Sequence, residues 1–149
     1  GTYGSKIGYN SSYGGDHGIR MAEAYLNRAE ALTRRFMTKG DENDRVQALN
    51  DLNTLRETRY VAGTYVDEEI TNAQDLLDFC VNERRLELCM EEGFRWFDIK
   101  RLGLSVTHRY IDSEGTEREY VLESNSLLYA LPIPYDAMER NYKLKQNPR

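Results

Sequence analysis

A mainly α fold is what this sequence predicts: a helical scaffold carrying one small β-hairpin and an extended C-terminal tail. Three observations carry that expectation. Apolar residues recur at the spacing of a helix face in three long stretches between residues 19 and 93. A pair of short runs containing Tyr, Ile and Val flanks a turn-forming segment, 112–115, of hairpin composition. Pro132 and Pro134 alternate in a run that cannot enter the middle of a sheet. With 149 residues, 40% hydrophobic and 30% charged, the chain has the size and composition of one compact domain.

Residues 1–18 hold six glycines and three tyrosines without helical periodicity, and are expected to form a loop-rich opening segment. A helical hairpin is predicted over 19–60. Ile19, Ala22, Tyr25, Leu26, Ala29, Leu32, Thr33 and Phe36 share one face, and Gly40 offers a C-terminal stop. Ala22 and Ala29 are small enough for a neighbouring backbone to approach closely. Asp41 or Asn43 is expected to cap a second helix running to about Tyr60, with Val46, Leu49, Leu52, Asn53, Arg56 and Tyr60 on its inner face. After a loop around Gly63, Thr71 and Gln74 are spaced as a capping box and open a central helix that should stop near Gly93. A short helix follows over 94–102, stopped by Gly103. The runs 108–111 and 119–122 then form the hairpin, leaving 131–134 extended, a helical turn at 137–140 and a meandering end.

In the central helix Leu76, Leu77, Cys80, Val81 and Leu88 define an apolar stripe, and Arg84, Glu87 and Glu91 fall inside it. Charges among core positions must be paired, because removing one member of a buried ion pair costs roughly 3–5 kcal/mol. Arg84, Glu87, Arg95, Asp98 and Arg101 are therefore expected to form one structural network between this helix and the RWFD turn. Trp96, between Phe94 and Phe97, is expected to belong to the same block as a core residue. Tyr3, Tyr9 and Tyr13, spaced through the glycine-rich segment, could offer flat faces to sugar rings, although packing or disorder is the stronger reading for them.

The net charge of −5, with basic residues interleaved among acids, argues against a nucleic-acid partner. Cys80 and Cys89, placed nine positions apart on one predicted helix, would point to opposite faces and could not bridge. No apolar run reaches the ~18 residues that would span a bilayer. The chain begins GTYG, without Met, and is expected to be a processed or excised piece. Glu87 and Glu91, one turn apart, have a separation superficially like that of glycosidase carboxylates, but they share a stripe with Arg84 instead of facing one another across a substrate. His17 and His108 are isolated from any set with metal-ligand spacing. No catalytic residue, metal site or cofactor is expected.

Four ordered segments carry a resemblance. ERRLEL (83–88) followed by GFRWFDIKR (93–101) resembles the signature of the SusD/RagB family, the surface glycan-binding lipoproteins of Bacteroidetes. RMAEAYLNRAEAL (20–32) and ALNDLNTLRETR (48–59) resemble its preceding helices, and LPIPYDAMERNYKLKQNPR (131–149) its C-terminal sequence. The match departs from the commonest pattern at Met90 and at Glu91 and Glu92 before Gly93. The resemblance implies a tetratricopeptide-like helical scaffold, held at the outer membrane and cell surface by an N-terminal lipid anchor that this chain does not contain. It implies a TonB-dependent transporter as partner and an oligosaccharide, or in some branches a peptide, as ligand of the intact protein. Residues 1–149 would be its C-terminal domain, with the opening segment at 1–18, the helical hairpin at 19–60, the signature helices at 71–102 and the hairpin and tail at 103–149. Ligand-binding residues would come largely from preceding parts. A tetratricopeptide-like adaptor that binds only proteins is the alternative. The fragment alone should bind glycans weakly, and an uncovered groove along the 19–36 helix would favour self-association.

Overall fold

The computed structural model describes residues 20–89, 91 and 93–149. Tyr3, Tyr9, Tyr13 and His17 of the opening segment, and Ile19 at the expected helix start, lie outside these residues. The fold is mainly helical with a two-stranded antiparallel sheet, as the sequence predicts. The chain divides into two compact units, Gly1–Glu92 and Gly93–Arg149, each described by itself.

The described part of the first unit contains α1 (Met21–Lys39), α2 (Glu42–Glu57) and α3 (Ala73–Glu87). Gly40 closes α1 in the left-handed conformation at φ 68°, its N–H bonded to the Phe36 carbonyl at 2.8 Å. Of the two candidate caps for α2, Asp41 serves: its carboxylate accepts from the Asn43 N–H at 3.0 Å. The helix ends at Glu57, short of Tyr60, because the Arg59 and Tyr60 N–H groups bond back only three residues, to Arg56 and Glu57. The α3 cap is Asn72 and not the Thr71/Gln74 box. Asn72 Oδ1 accepts from the N–H groups of Gln74 and Asp75 at 2.8 and 3.0 Å, while the Gln74 side chain turns to Asp78. This helix also stops at Glu87, before Gly93. Leu88 is buried outside the regular helix, and the Glu91 N–H closes onto its carbonyl across three residues. Cys89 consequently sits exposed in a turn and not on the helix with buried Cys80.

The core of this unit comes from Ala22, Leu26, Ala29 and Thr33 on α1, Ala48, Leu49, Leu52 and Leu55 on α2, and Leu76, Cys80 and Leu88. Contacts across it set the helix directions. Arg35 meets Asp44 and Arg28 meets Asp51, so α1 and α2 are antiparallel. Thr33 meets Cys80 and Asn27 meets Arg84, so α1 and α3 are antiparallel as well. Helices α2 and α3 therefore run parallel, which Arg56–Glu83 and Arg59–Glu87 bear out. Two expected core positions of α2 are corrected: Val46 is 56% and Tyr60 48% exposed. Asp44 and Asp51 occupy the buried face instead, because arginines of α1 reach across to neutralise them.

The second unit begins with α4 (Phe94–Leu102), ended by Gly103 at φ 62°. A side chain there would also collide with the amide group of Asn125. Strands β1 (Val106–Ile111) and β2 (Glu117–Leu122) pair with His108 opposite Tyr120 and Tyr110 opposite Arg118. Asp112 organises the turn, its side chain accepting from the N–H groups of Glu114 and Thr116. A 3-10 turn (Leu127–Tyr129) that the periodicity did not indicate follows, then the extended 131–134 run and α5 (Tyr135–Arg140). The end of the chain folds back on that run. Gln146 accepts from the Ile133 N–H at 2.8 Å and donates to its carbonyl at 3.0 Å, and Asn147 donates to the Leu131 carbonyl at 2.7 Å.

Candidate functional site: an arginine–carboxylate lattice

Helix stripes that carry both apolar and charged residues bring arginines and acids together at the faces between α1, α2 and α3. Arg28 grips Asp51 with two bonds, at 2.7 and 2.6 Å, and Arg35 grips Asp44 in the same two-pronged way. Between α2 and α3, Arg56 pairs with Glu83, and Arg59 donates from Nε to Glu87 at 2.9 Å. Arg20, just before α1, joins Glu87 at 2.7 Å and Glu91. Arg84 of α3 donates to the Asn27 side-chain oxygen at 2.7 Å and lies 3.7 Å from Glu23. Each acid in contact with these guanidiniums is buried or half-buried, so the attraction is weakly screened.

Electrostatics follow the geometry. The Arg35 hydrogen bond holds the Asp44 carboxyl below the usual carboxylate range, against the opposing effect of burial. The Glu91 hydrogen bond raises Arg20, and that of Glu87 raises Arg59. For Arg56 burial acts to lower the guanidinium, but Glu83 and the Tyr65 hydroxyl outweigh it and the net direction is upward. Its guanidinium carbon lies 5.2 Å from the Phe79 ring centre and 5.7 and 5.8 Å from those of Tyr60 and Tyr65. Burial pushes the Cys80 thiol up to about 11, moderated by Thr33.

A groove of about 290 Å³ runs beside the Arg56 and Arg59 bridges, with Leu55, Tyr60 and Leu86 as its apolar walls. A second, of about 400 Å³, lies between α2 and residues 67–71, with Val46 and Leu49 among otherwise polar residues. Among the described residues no group of three or more His, Cys, Asp or Glu side chains could hold a metal ion. No helix among them is long and apolar enough to cross a membrane.

Of the residues expected to form the structural network, Arg84 and Glu87 are buried on α3, and Asp98 is buried on α4 with Arg101 donating to it at 2.7 Å. Arg95 is exposed and Trp96 half-buried. Glu87 and Glu91 both bind Arg20, an arrangement of ion pairing and not of two acids opposed across a substrate. Sequence reading missed Arg20, Asp44, Asp51, Arg59 and Glu83. A signal for part of this set exists in the chain: Arg28 and Arg35 on α1 repeat at the same seven-residue interval as Asp44 and Asp51 on α2, on opposite sides of the Gly40 turn.

Fold and lattice together define a mainly helical protein in whose first unit the facing helices are joined by ion pairs. The chain belongs to the SusD family, whose model matches residues 3–149. Members are binding proteins and not enzymes, lipoproteins of the outer membrane and cell surface. The chain is 32% identical over 133 residues to SusD-like protein P2 of Formosa agariphila, covering 87% of this chain and 24% of that one. It is 32% identical over 130 residues to the starch-binding protein SusD of Bacteroides thetaiotaomicron, covering 87% and 20%. A crystal structure of a SusD-like protein from Bacteroides fragilis matches with a TM-score of 0.54 at 27% identity, covering 87% of this chain and 25% of the other. The chain thus spans about a quarter or less of the length of the relatives it matches.

Proposed function

We propose that residues 1–149 form the C-terminal domain of a cell-surface glycan-binding lipoprotein, which works with a TonB-dependent transporter to capture and take up oligosaccharides. The family match over 3–149, which includes likeness to a starch-binding protein, is the observation that carries this reading. Within it this segment acts mainly as scaffold. The inner-face charges are paired with one another, and sugar recognition falls chiefly to parts of the longer protein. An N-terminal lipid holds that protein at the outer membrane, outside the cell.

Calorimetry with a panel of oligosaccharides, run on the intact lipoprotein beside the 149-residue chain, tests both halves of the reading. Binding by the intact protein and at least about tenfold weaker binding by the chain is expected. Equal affinity would move the ligand site into these residues, and an intact protein that binds peptides but no oligosaccharide would place it in a peptide-binding branch. Co-purification from solubilised outer membranes tests the transporter.

Arg84, Glu87, Arg95, Asp98 and Arg101, with Trp96 beside them, act as one structural network in this scaffold. Burial of Arg84, Glu87 and Asp98 supports the idea. A double-mutant cycle on Glu87→Gln and Arg101→Ala measures it: a coupling above about 0.5 kcal/mol is expected, and additivity would separate the two residues.

A further inference from the structure

Because α2 and α3 run parallel, residues 58–72 must carry the chain from the end of one helix back to the start of the next. The distance is about 24 Å for the 16 residues of α2, whereas about 15 residues can reach roughly 50 Å when extended. Chain length therefore leaves the course of this strap open, and no residue in 58–72 is buried. Side chains of α2 select its course. Asn53 does most: its Oδ1 accepts from the Tyr65 hydroxyl at 2.7 Å and the Glu68 N–H at 3.0 Å, and its Nδ2 donates to the Glu68 carbonyl at 3.2 Å. Arg45 donates to the Ile70 carbonyl at 3.0 Å, and Arg56 lies 3.4 Å from the Glu68 carboxylate and donates to the Tyr60 hydroxyl at 3.0 Å.

We propose that 58–72 is a two-state strap which opens and closes over α2 as a unit, with Asn53 as its clasp. An element held by a few part-buried polar contacts, with no buried residue of its own to anchor it, is the kind that opens locally at low cost while the helices beneath it stay docked. Both states have a defined consequence. Closed, the strap holds the Tyr60 and Tyr65 rings as a tilted pair, 4.9 Å between centres and 54° between planes, and keeps Tyr60 as a wall of the α2–α3 groove. Open, it carries Tyr60 away and widens that groove, so the state of the Asn53 amide sets the groove's shape.

Hydrogen exchange read by mass spectrometry tests this on the chain and on three variants. In Asn53→Ala, exchange across 61–70 is expected to rise at least about tenfold while α1 and α3 keep their protection, since up to three hydrogen bonds are lost together. Asn53→Asp keeps both acceptor bonds and loses the donor, and should fall between Asn53→Ala and the parent. Chymotrypsin should cut after Tyr60 or Tyr65 in the same order of rates. Unchanged exchange in 61–70, or a rise spread equally over α1 and α3, overturns the proposal. Should Asn53→Ala fail to fold, Tyr65→Phe removes one bond at the strap itself and is expected to raise exchange and cleavage there alone.

Discussion

The two units of this chain are held by different means. In the first, α1 is sandwiched by two helices over a continuous set of buried leucines and alanines, and the acids buried among them are matched to arginines. In the second, only Asp98, Ile99 and Tyr129 are buried among the described residues, whereas Leu127, Leu131, Tyr135 and Tyr142 are exposed. There the order comes from side-chain to backbone hydrogen bonds: Tyr129 to Leu104, Ser124 to Gly103, and Gln146 and Asn147 to the 131–133 run. The difference teaches that similar helix-and-turn sequence can be ordered either by apolar burial or by local polar clasps. The first couples distant residues into one cooperative body, while the second orders segments one at a time.

The sharpest break in that comparison should come from truncating matched leucines. Leu52→Ala, at a position 1% exposed, is expected to cost about 2–5 kcal/mol in chemical unfolding. Leu131→Ala, at 64% exposed, should stay within about 0.5 kcal/mol. Equal costs would show that the second unit buries Leu131 in solution and has a core of its own.

Alkaline titration separates the units next. The Cys80 thiol is raised by burial from near 9 to about 11, so the folded state favours the neutral thiol. Its contribution is complete below about pH 9 and is lost as pH rises through 11, about 3 kcal/mol at 1.36 kcal/mol per unit. Tyr65, also raised by burial, acts in the same direction. The slope difference between the parent and Cys80→Ala isolates the thiol, and identical slopes would refute this. Asp44 has the opposite sign: held low by Arg35, it stabilises above the usual carboxylate range and that contribution disappears as pH falls.

The smallest effects should lie in the ion pairs. Glu87→Gln disturbs Arg20 and Arg59 together, and because those arginines are 38% and 49% exposed the expected cost is about 1–3 kcal/mol, not the full penalty of a buried pair. Arg109→Ala on the hairpin, whose partners Glu117 and Glu119 are exposed, should change stability by under about 0.5 kcal/mol. A larger loss at Arg109 than at Glu87 would reverse the contrast between the units.

Much of this architecture is legible in the chain because its causes are local. Gly40 and Gly103 stop helices where a left-handed residue is needed, Asp41 caps with its own carboxylate, and Asp112 organises a turn within four residues. The ordered segments from RMAEAYLNRAEAL to the QNPR end likewise identify the family without any coordinates. The misplaced features have distant causes. Val46 and Tyr60 fit the apolar period of α2, yet the inner face went to Asp44 and Asp51, since arginines on another helix neutralise them. The early end of α3, the role of Arg20 toward Glu87 and Glu91, and the Asn53 clasp on 65–68 each depend on a partner far along the chain or on a turn closing in three dimensions. Periodicity records which side of a helix is apolar. Only the tertiary structure decides which charges meet on that side, because an acid is tolerated in a core just where a guanidinium arrives to pair with it.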